Sequence, residues 1–155
     1  MGVKSFQGVR LNQKETVKAA ILVSDYMTTS LITFSPEQSI LEVMECFAKH
    51  PISGGPVLND KKELVGIVSE ADCMKQISES RYFNLPILEK NVASFMATEL
   101  DTIDASASIF DAAAIFHKNS RRRLPVLNNG KLVGQISRKD IVIAALQLSG
   151  QQWKK

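Results

Sequence analysis

Leu64-Val65-Gly66-Ile67-Val68-Ser69-Glu70-Ala71-Asp72 decides how this chain folds, because it returns as Leu132-Val133-Gly134-Gln135-Ile136-Ser137-Arg138-Lys139-Asp140. In each copy a short apolar run ends at Ser-x-x-Asp, the pattern of a helix N-terminus whose serine and aspartate cap one another. A strand therefore passes directly into a helix, twice. Such a junction presents backbone N–H groups and the positive end of a helix dipole, which suits an anion or a ribose phosphate. The same four residues also suffice as a plain cap, worth about 1 kcal/mol, so this pattern alone leaves both roles open.

Outward from that stretch, Met27, Thr29, Leu31, Thr33, Ser39, Ile40, Phe47, Lys49, Pro56, Val57, Leu58 and Asn59 recur 69 positions later as Met96, Thr98, Leu100, Thr102, Ser108, Ile109, Phe116, Lys118, Pro125, Val126, Leu127 and Asn128. The offset then falls to 68, at Asn129-Gly130, a strong signal for a tight hairpin turn where a deletion is tolerated. A period this long marks a duplicated small domain rather than a solenoid. The copies span residues 23–77 and 92–146, with a lead-in at 1–22, a connection at 78–91 and a tail at 147–155. A copy of roughly 55 residues buries only a marginal core, so the two are expected to pack together.

Each copy reads strand, helix, strand, strand, helix, which predicts an α/β (α+β) unit. Ser35-Pro36-Glu37-Gln38 is expected to open the first helix, with Ser at the N-cap and Pro at the first helical position. Ile40, Leu41, Val43, Met44 and Phe47 continue it as an apolar stripe to His50-Pro51, and Ala71, Met74 and Ile77 are expected inside the next helix. The crossover helix makes the first two strands parallel, and the short loop makes the last two an antiparallel hairpin. A short lead-in helix is expected at residues 15–22, and His50 and His117 at the ends of helices, where a partial positive charge is favourable.

With 45% apolar residues in 155 and a net charge of +3, the chain reads as a globular protein compatible with an anionic ligand. No stretch reaches the ~18 apolar residues of a membrane span, and the polar N-terminus lacks a signal-peptide core, which predicts a cytoplasmic protein with no membrane partner. Cys46 and Cys73 are far apart and read as core thiols; no cluster has metal-ligand spacing. Three arginines without interleaved aromatics do not make a nucleic-acid surface.

The paired Pro-Val-Leu, Leu-Val-Gly and Gly-x-x-Ser-x-x-Asp in fixed order resemble cystathionine-β-synthase-type domains, the CBS domains, over both copies. The resemblance implies a stand-alone tandem pair of βαββα repeats about a pseudo-twofold axis, dimerising as a homodimer. It implies two clefts that bind adenosine-containing ligands such as AMP, ADP, ATP, NAD or S-adenosylmethionine, so that the pair regulates a partner protein. Carried over by position, Asp72 and Asp140 would accept from the ribose hydroxyls with Ser69 and Ser137 beside them, as a two-oxygen acceptor suits a diol. Thr33, Gly55, Pro56, Thr102 and Pro125 would lie at the adenine edge. Arg121, Arg122 and Arg123 would meet phosphate, with Arg138 and Lys139 adding to the field.

The copies depart from each other at this point. Residues 52–55, Ile-Ser-Gly-Gly, stand where the second copy has Arg121-Arg122-Arg123-Leu124, which predicts a roomy, uncharged first site and a charged second one. The function expected is an adenine-nucleotide sensor with no catalytic residues and no catalytic cofactor. A structural dimerisation module with vestigial clefts is the alternative. A small nucleotide-acting enzyme would need a nucleophile and base or paired carboxylates, and the nearest pair, Glu70 beside Asp72, has Arg138 in place of the glutamate in the second copy.

Overall fold

The structure, a computed structural model, describes residues 21–83 and 90–149. The helix anticipated at residues 15–22 and Trp153 in the tail lie almost wholly outside them. The first repeat runs through a one-turn helix α1 (Val23–Tyr26), helix α2 (Ile40–Lys49), strands β1 (Gly54–Leu58) and β2 (Leu64–Ser69), and helix α3 (Glu70–Phe83). The second runs through α4 (Val92–Phe95), β3 (Ile103–Asp104), α5 (Ile109–Lys118), β4 (Arg123–Asn128), β5 (Lys131–Ser137) and α6 (Arg138–Leu148). Helix α3 thus takes up the first part of what the sequence suggested as connection.

The strand order follows the crossover argument. Strand β3 pairs β4 in parallel, Ile103 opposite Val126, and the first-repeat equivalent is a parallel bridge from Phe34 to Val57. Strands β1 and β2 are antiparallel. Asn129 and Gly130, at φ 52° and 77°, form the two-residue turn of the second hairpin, the left-handed geometry that Asn-Gly favours.

Helix α2 begins later than its Ser-Pro signal suggests. Its N-cap is Ser39, whose side chain accepts from the Glu42 N–H, while Ser35–Gln38 closes a turn with Ser35 N–H donating to the Gln38 side chain at 2.8 Å. Tertiary bonds hold that turn out of the helix: Val92 N–H donates to the Gln38 carbonyl at 2.8 Å and Ala93 N–H to the Pro36 carbonyl at 3.0 Å.

Those bonds belong to an exchange that repeat-by-repeat reading does not anticipate. The compact units are not the sequence repeats: described residues up to Thr29 group with 102–128 and 133–149, and residues 30–101 with 129–132. In one unit Val23 N–H donates to the Ala107 carbonyl at 2.8 Å, and Thr28 and Gln135 exchange N–H···O bonds at 2.8 and 2.9 Å. In the other, Ile67 and Ala97 exchange the equivalent bonds at 3.0 and 2.8 Å. Each repeat's lead-in turn therefore completes the sheet edge of the other repeat. The glycine of each Leu-Val-Gly permits it. A Cβ on Gly134 would stand 2.8 Å from the Thr28 carbonyl oxygen and 2.7 Å from the Met27 sulfur, and one on Gly66 would meet Met96 and Ala97 in the same way.

Each unit has its own core. Phe34, Ile40, Val43, Val57, Val68, Cys73, Val92 and Phe95 fill one; Val23, Ile103, Ala112, Leu124, Val126 and Ile136 fill the other. A buried aliphatic side chain contributes roughly 1.5–3 kcal/mol, so the borrowed Val23 and Val92, both at 0% exposure, are full core members. Helix α3 turns a different face inward from the one expected. Cys73 and Gln76 are buried, whereas Ala71 is exposed and Met74 and Ile77 are 57% and 41% exposed. The cap sets this phase, since Asp72 must reach back to Ser69, which leaves the next residue facing the sheet.

Candidate functional site

The two strand-to-helix junctions are built alike. Strand β2 ends at Ser69, whose N–H and hydroxyl both donate to Asp72 Oδ2 at 2.9 Å, while Asp72 N–H donates to Ser69 Oγ at 3.3 Å. Strand β5 ends at Ser137, whose N–H donates to Asp140 Oδ2 at 2.8 Å, with Asp140 N–H donating to Ser137 Oγ at 3.2 Å. Both aspartates are half-buried. In each, the described bonds fall on one carboxylate oxygen, so capping and a second acceptor role are compatible.

Strand register assembles the remaining predicted residues around each junction. Ser69 lies opposite Gly54, so Gly55 and buried Pro56 follow directly along β1. Phe34 N–H donates to the Pro56 carbonyl at 2.9 Å, which puts exposed Thr33 at the same sheet edge. In the other unit Ile103 pairs with Val126, which sets Thr102 by buried Pro125.

The helix N-terminus also ties to the neighbouring strand entry. Glu70 N–H donates to the Ser53 carbonyl at 2.9 Å, and Arg138 N–H to the Arg122 carbonyl at 3.3 Å. The second bond brings the backbones of Arg122 and Arg138 together, so that Arg121, Arg123 and Lys139 follow as their chain neighbours. The same place in the first repeat carries Glu70, Ala71 and the small residues 53–55. The two junctions thus have opposite local charge, which the sequence suggested for the arginines and understated for Glu70.

The small residue at position 55 answers to the core beneath the first junction. A Cβ on Gly55 would lie 2.8 Å from both the Ile32 carbonyl oxygen and the Phe34 ring. The Phe34 ring takes the space that the second repeat fills with Leu124 over the smaller Ile103. That exchange of bulk was legible only by comparing both positions at once.

The cysteines are free, and Cys73 sits in the core, as expected of a packing thiol. Burial first, then the Asp72 and Glu70 carboxylates, push its pKa up, so it stays a thiol and a poor nucleophile. No cluster of three or more metal-ligating residues occurs among the described residues. His50 caps α2 and His117 lies in the last turn of α5, both exposed. Buried Gln76 accepts from the Lys90 ammonium, a polar pair where the second repeat has Ala144 and Ile21; the sequence reading missed it.

Known families resolve the likeness of the two junctions. The CBS domain profile matches residues 23–79 and again 92–147. The chain belongs to the CBS domain family. Its fold is similar to CBSX2 of Arabidopsis thaliana solved in complex with AMP, at 31% identity and a TM-score of 0.73 over 83% of this chain and 98% of that one. It is similar to the uncharacterized protein MJ1426 of Methanocaldococcus jannaschii, 28% identical over 88% of this chain and 98% of that protein. The CBS likeness extends to inosine-5′-monophosphate dehydrogenase of Aquifex aeolicus, 30% identical over 84% of this chain but only 26% of the enzyme. Among the described residues no helix is long and apolar enough to cross a membrane.

Proposed function

We propose that this CBS pair is a regulatory module that binds an adenosine-containing ligand, AMP foremost, and passes its occupancy to a partner protein. The observation that carries the reading is the pair of Ser–Asp junctions, each with an aspartate already aimed by its cap, in a chain 31% identical to a relative that holds AMP. Asp72 and Asp140 accept from ribose hydroxyls, Ser69 and Ser137 stand beside them, and Thr33, Gly55, Pro56, Thr102 and Pro125 border the base. Arg121, Arg122, Arg123, Arg138 and Lys139 attract phosphate at the second junction by charge and by bidentate donors. The first junction, bearing Glu70, is the poorer one for a phosphate. ADP, ATP, NAD and S-adenosylmethionine are the competing ligands of the same class.

Regulation requires that the ligand bind two arrangements of the protein with different affinity, since equal affinity shifts nothing. The protein works as a homodimer, supported by exposed apolar residues at corresponding places on both helix pairs, and in the cytoplasm, supported by two free cysteines. A purely structural dimerisation module is the second reading, favoured by the fact that capping alone accounts for every described bond to Asp72 and Asp140.

Calorimetric titration of nucleotide-stripped protein separates the two. The regulatory reading expects heat with AMP at a Kd on the order of micromolar and reports how many sites fill. No heat with AMP, ADP, ATP, NAD or S-adenosylmethionine would leave the structural module.

A further inference from the structure

Helices α2 and α3 bring three sulfur-bearing side chains to one groove. Met44, Phe47 and Ala48 stand at positions i, i+3 and i+4 of α2, and Glu70, Cys73 and Met74 at the same spacing on α3, so each trio shares one helix face. Together the six line an open groove of about 260 Å³. It lies within the compact unit of residues 30–101. Cys73 is fully buried, Met44 half-buried and Met74 exposed, so sulfur is present from the floor of the groove to its mouth.

The fold does not demand sulfur here. The corresponding residues of the second repeat are Ala113, Ile141 and Val142, with Arg138 in place of Glu70, and α5 and α6 pack against each other without it. A flexible thioether filling a gap explains a single methionine. It does not explain three sulfurs and a carboxylate that change together, to aliphatic groups and a guanidinium. Histidine, cysteine and carboxylate alone make no cluster of three among the described residues; here the thioethers complete one.

We propose that this groove binds a soft monovalent cation of the Cu(I) class through the Cys73 sulfur and the Met44 and Met74 thioethers, with Glu70 adding negative charge at the rim. Thiolate and thioether donors select Cu(I) over the harder divalent ions. On binding, the Cys73 S–H bond breaks and its proton leaves to solvent as the S–Cu bond forms; copper remains Cu(I) and no electron is transferred. One cation replaces another, so the net charge at the buried floor does not change. Burial therefore opposes this exchange less than it opposes a bare thiolate or a divalent ion.

Anaerobic titration of the full chain with Cu(I), supplied as its acetonitrile complex against a chromophoric Cu(I) chelator, tests the proposal. A single equivalent per chain withheld from the chelator is expected. Met44→Leu, Met74→Leu and Cys73→Ser are each expected to weaken retention by at least about 10-fold, since even an outer partner of a metal ligand contributes that much. Cys46→Ser, which removes the other thiol, is expected to leave retention unchanged. Methionine to leucine conserves volume, so the copper-free leucine variants keep melting temperatures near that of the parent and their loss reads coordination rather than folding. No copper withheld from the chelator would overturn the proposal. So would retention that is lost in Cys46→Ser, or that survives both leucine variants, since the methionines would then serve packing alone.

Discussion

Asp140→Asn is expected to weaken AMP binding by roughly 10- to 100-fold while leaving the fold cooperative, because a hydrogen bond to a charged acceptor contributes about 1.5–3 kcal/mol. The asparagine keeps one oxygen, and the cap needs only one, for the Ser137 N–H at 2.8 Å. What changes is the other arm of the side chain, where an acceptor becomes a donor facing hydroxyls that must themselves donate. Asp72→Asn does the same at the first junction, where the Ser69 N–H and hydroxyl share one oxygen. Because the second junction carries the arginines, Asp140→Asn should cost more AMP affinity than Asp72→Asn. Titration of both variants, beside their melting temperatures, checks this. Unchanged affinity in both would assign the aspartates to capping alone, and Asp140→Ala would then show only the loss of about 1 kcal/mol typical of a missing cap.

The second large effect concerns the exchanged lead-ins. Gly134→Val is expected to destabilise the protein by about 3 kcal/mol, a fall in Tm on the order of 10 °C for a chain of this size. On an unhindered strand, valine would instead favour the extended backbone. Here the new Cβ would sit 2.8 Å from the Thr28 carbonyl, which accepts the Gln135 N–H at 2.9 Å and has no room to retreat without breaking that bridge. Losing the bridge also loosens Val23, fully buried in the same unit. Gly66→Val should act in the same direction and less strongly, since the Ala97 carbonyl would lie at 3.0 Å and the nearer atoms belong to the flexible Met96 side chain. Thermal denaturation of the two variants decides it, and a valine that leaves Tm unchanged would refute the close-approach explanation.

These two cases mark what the sequence can and cannot say. Strand-to-helix junctions, helix caps and the parallel crossover are local or near-local properties, so Ser-x-x-Asp, Asn-Gly and the repeated Pro-Val-Leu announced them. The lead-in exchange joins residues such as Ile67 and Ala97, or Thr28 and Gln135, that lie far apart in the chain, and it leaves no mark on either partner except two glycines that look like ordinary strand glycines. The same holds for Phe34 and Gly55, whose volumes make sense only against Ile103 and Leu124. Helix α2 began four residues after its first plausible cap because bonds from Val92 and Ala93 outweigh a Ser-Pro signal. Met74 and Ile77 looked like core by composition and lie outside because the cap, not the apolar count, fixes the rotation of α3.

Structure determination of the chain with AMP bound tests the central claim most directly. The account predicts ribose hydroxyls within hydrogen-bonding distance, about 2.6–3.2 Å, of Asp140, with the phosphate among Arg121, Arg122, Arg123 and Arg138. AMP bound elsewhere, with Asp72 and Asp140 engaged only by Ser69 and Ser137, would contradict it.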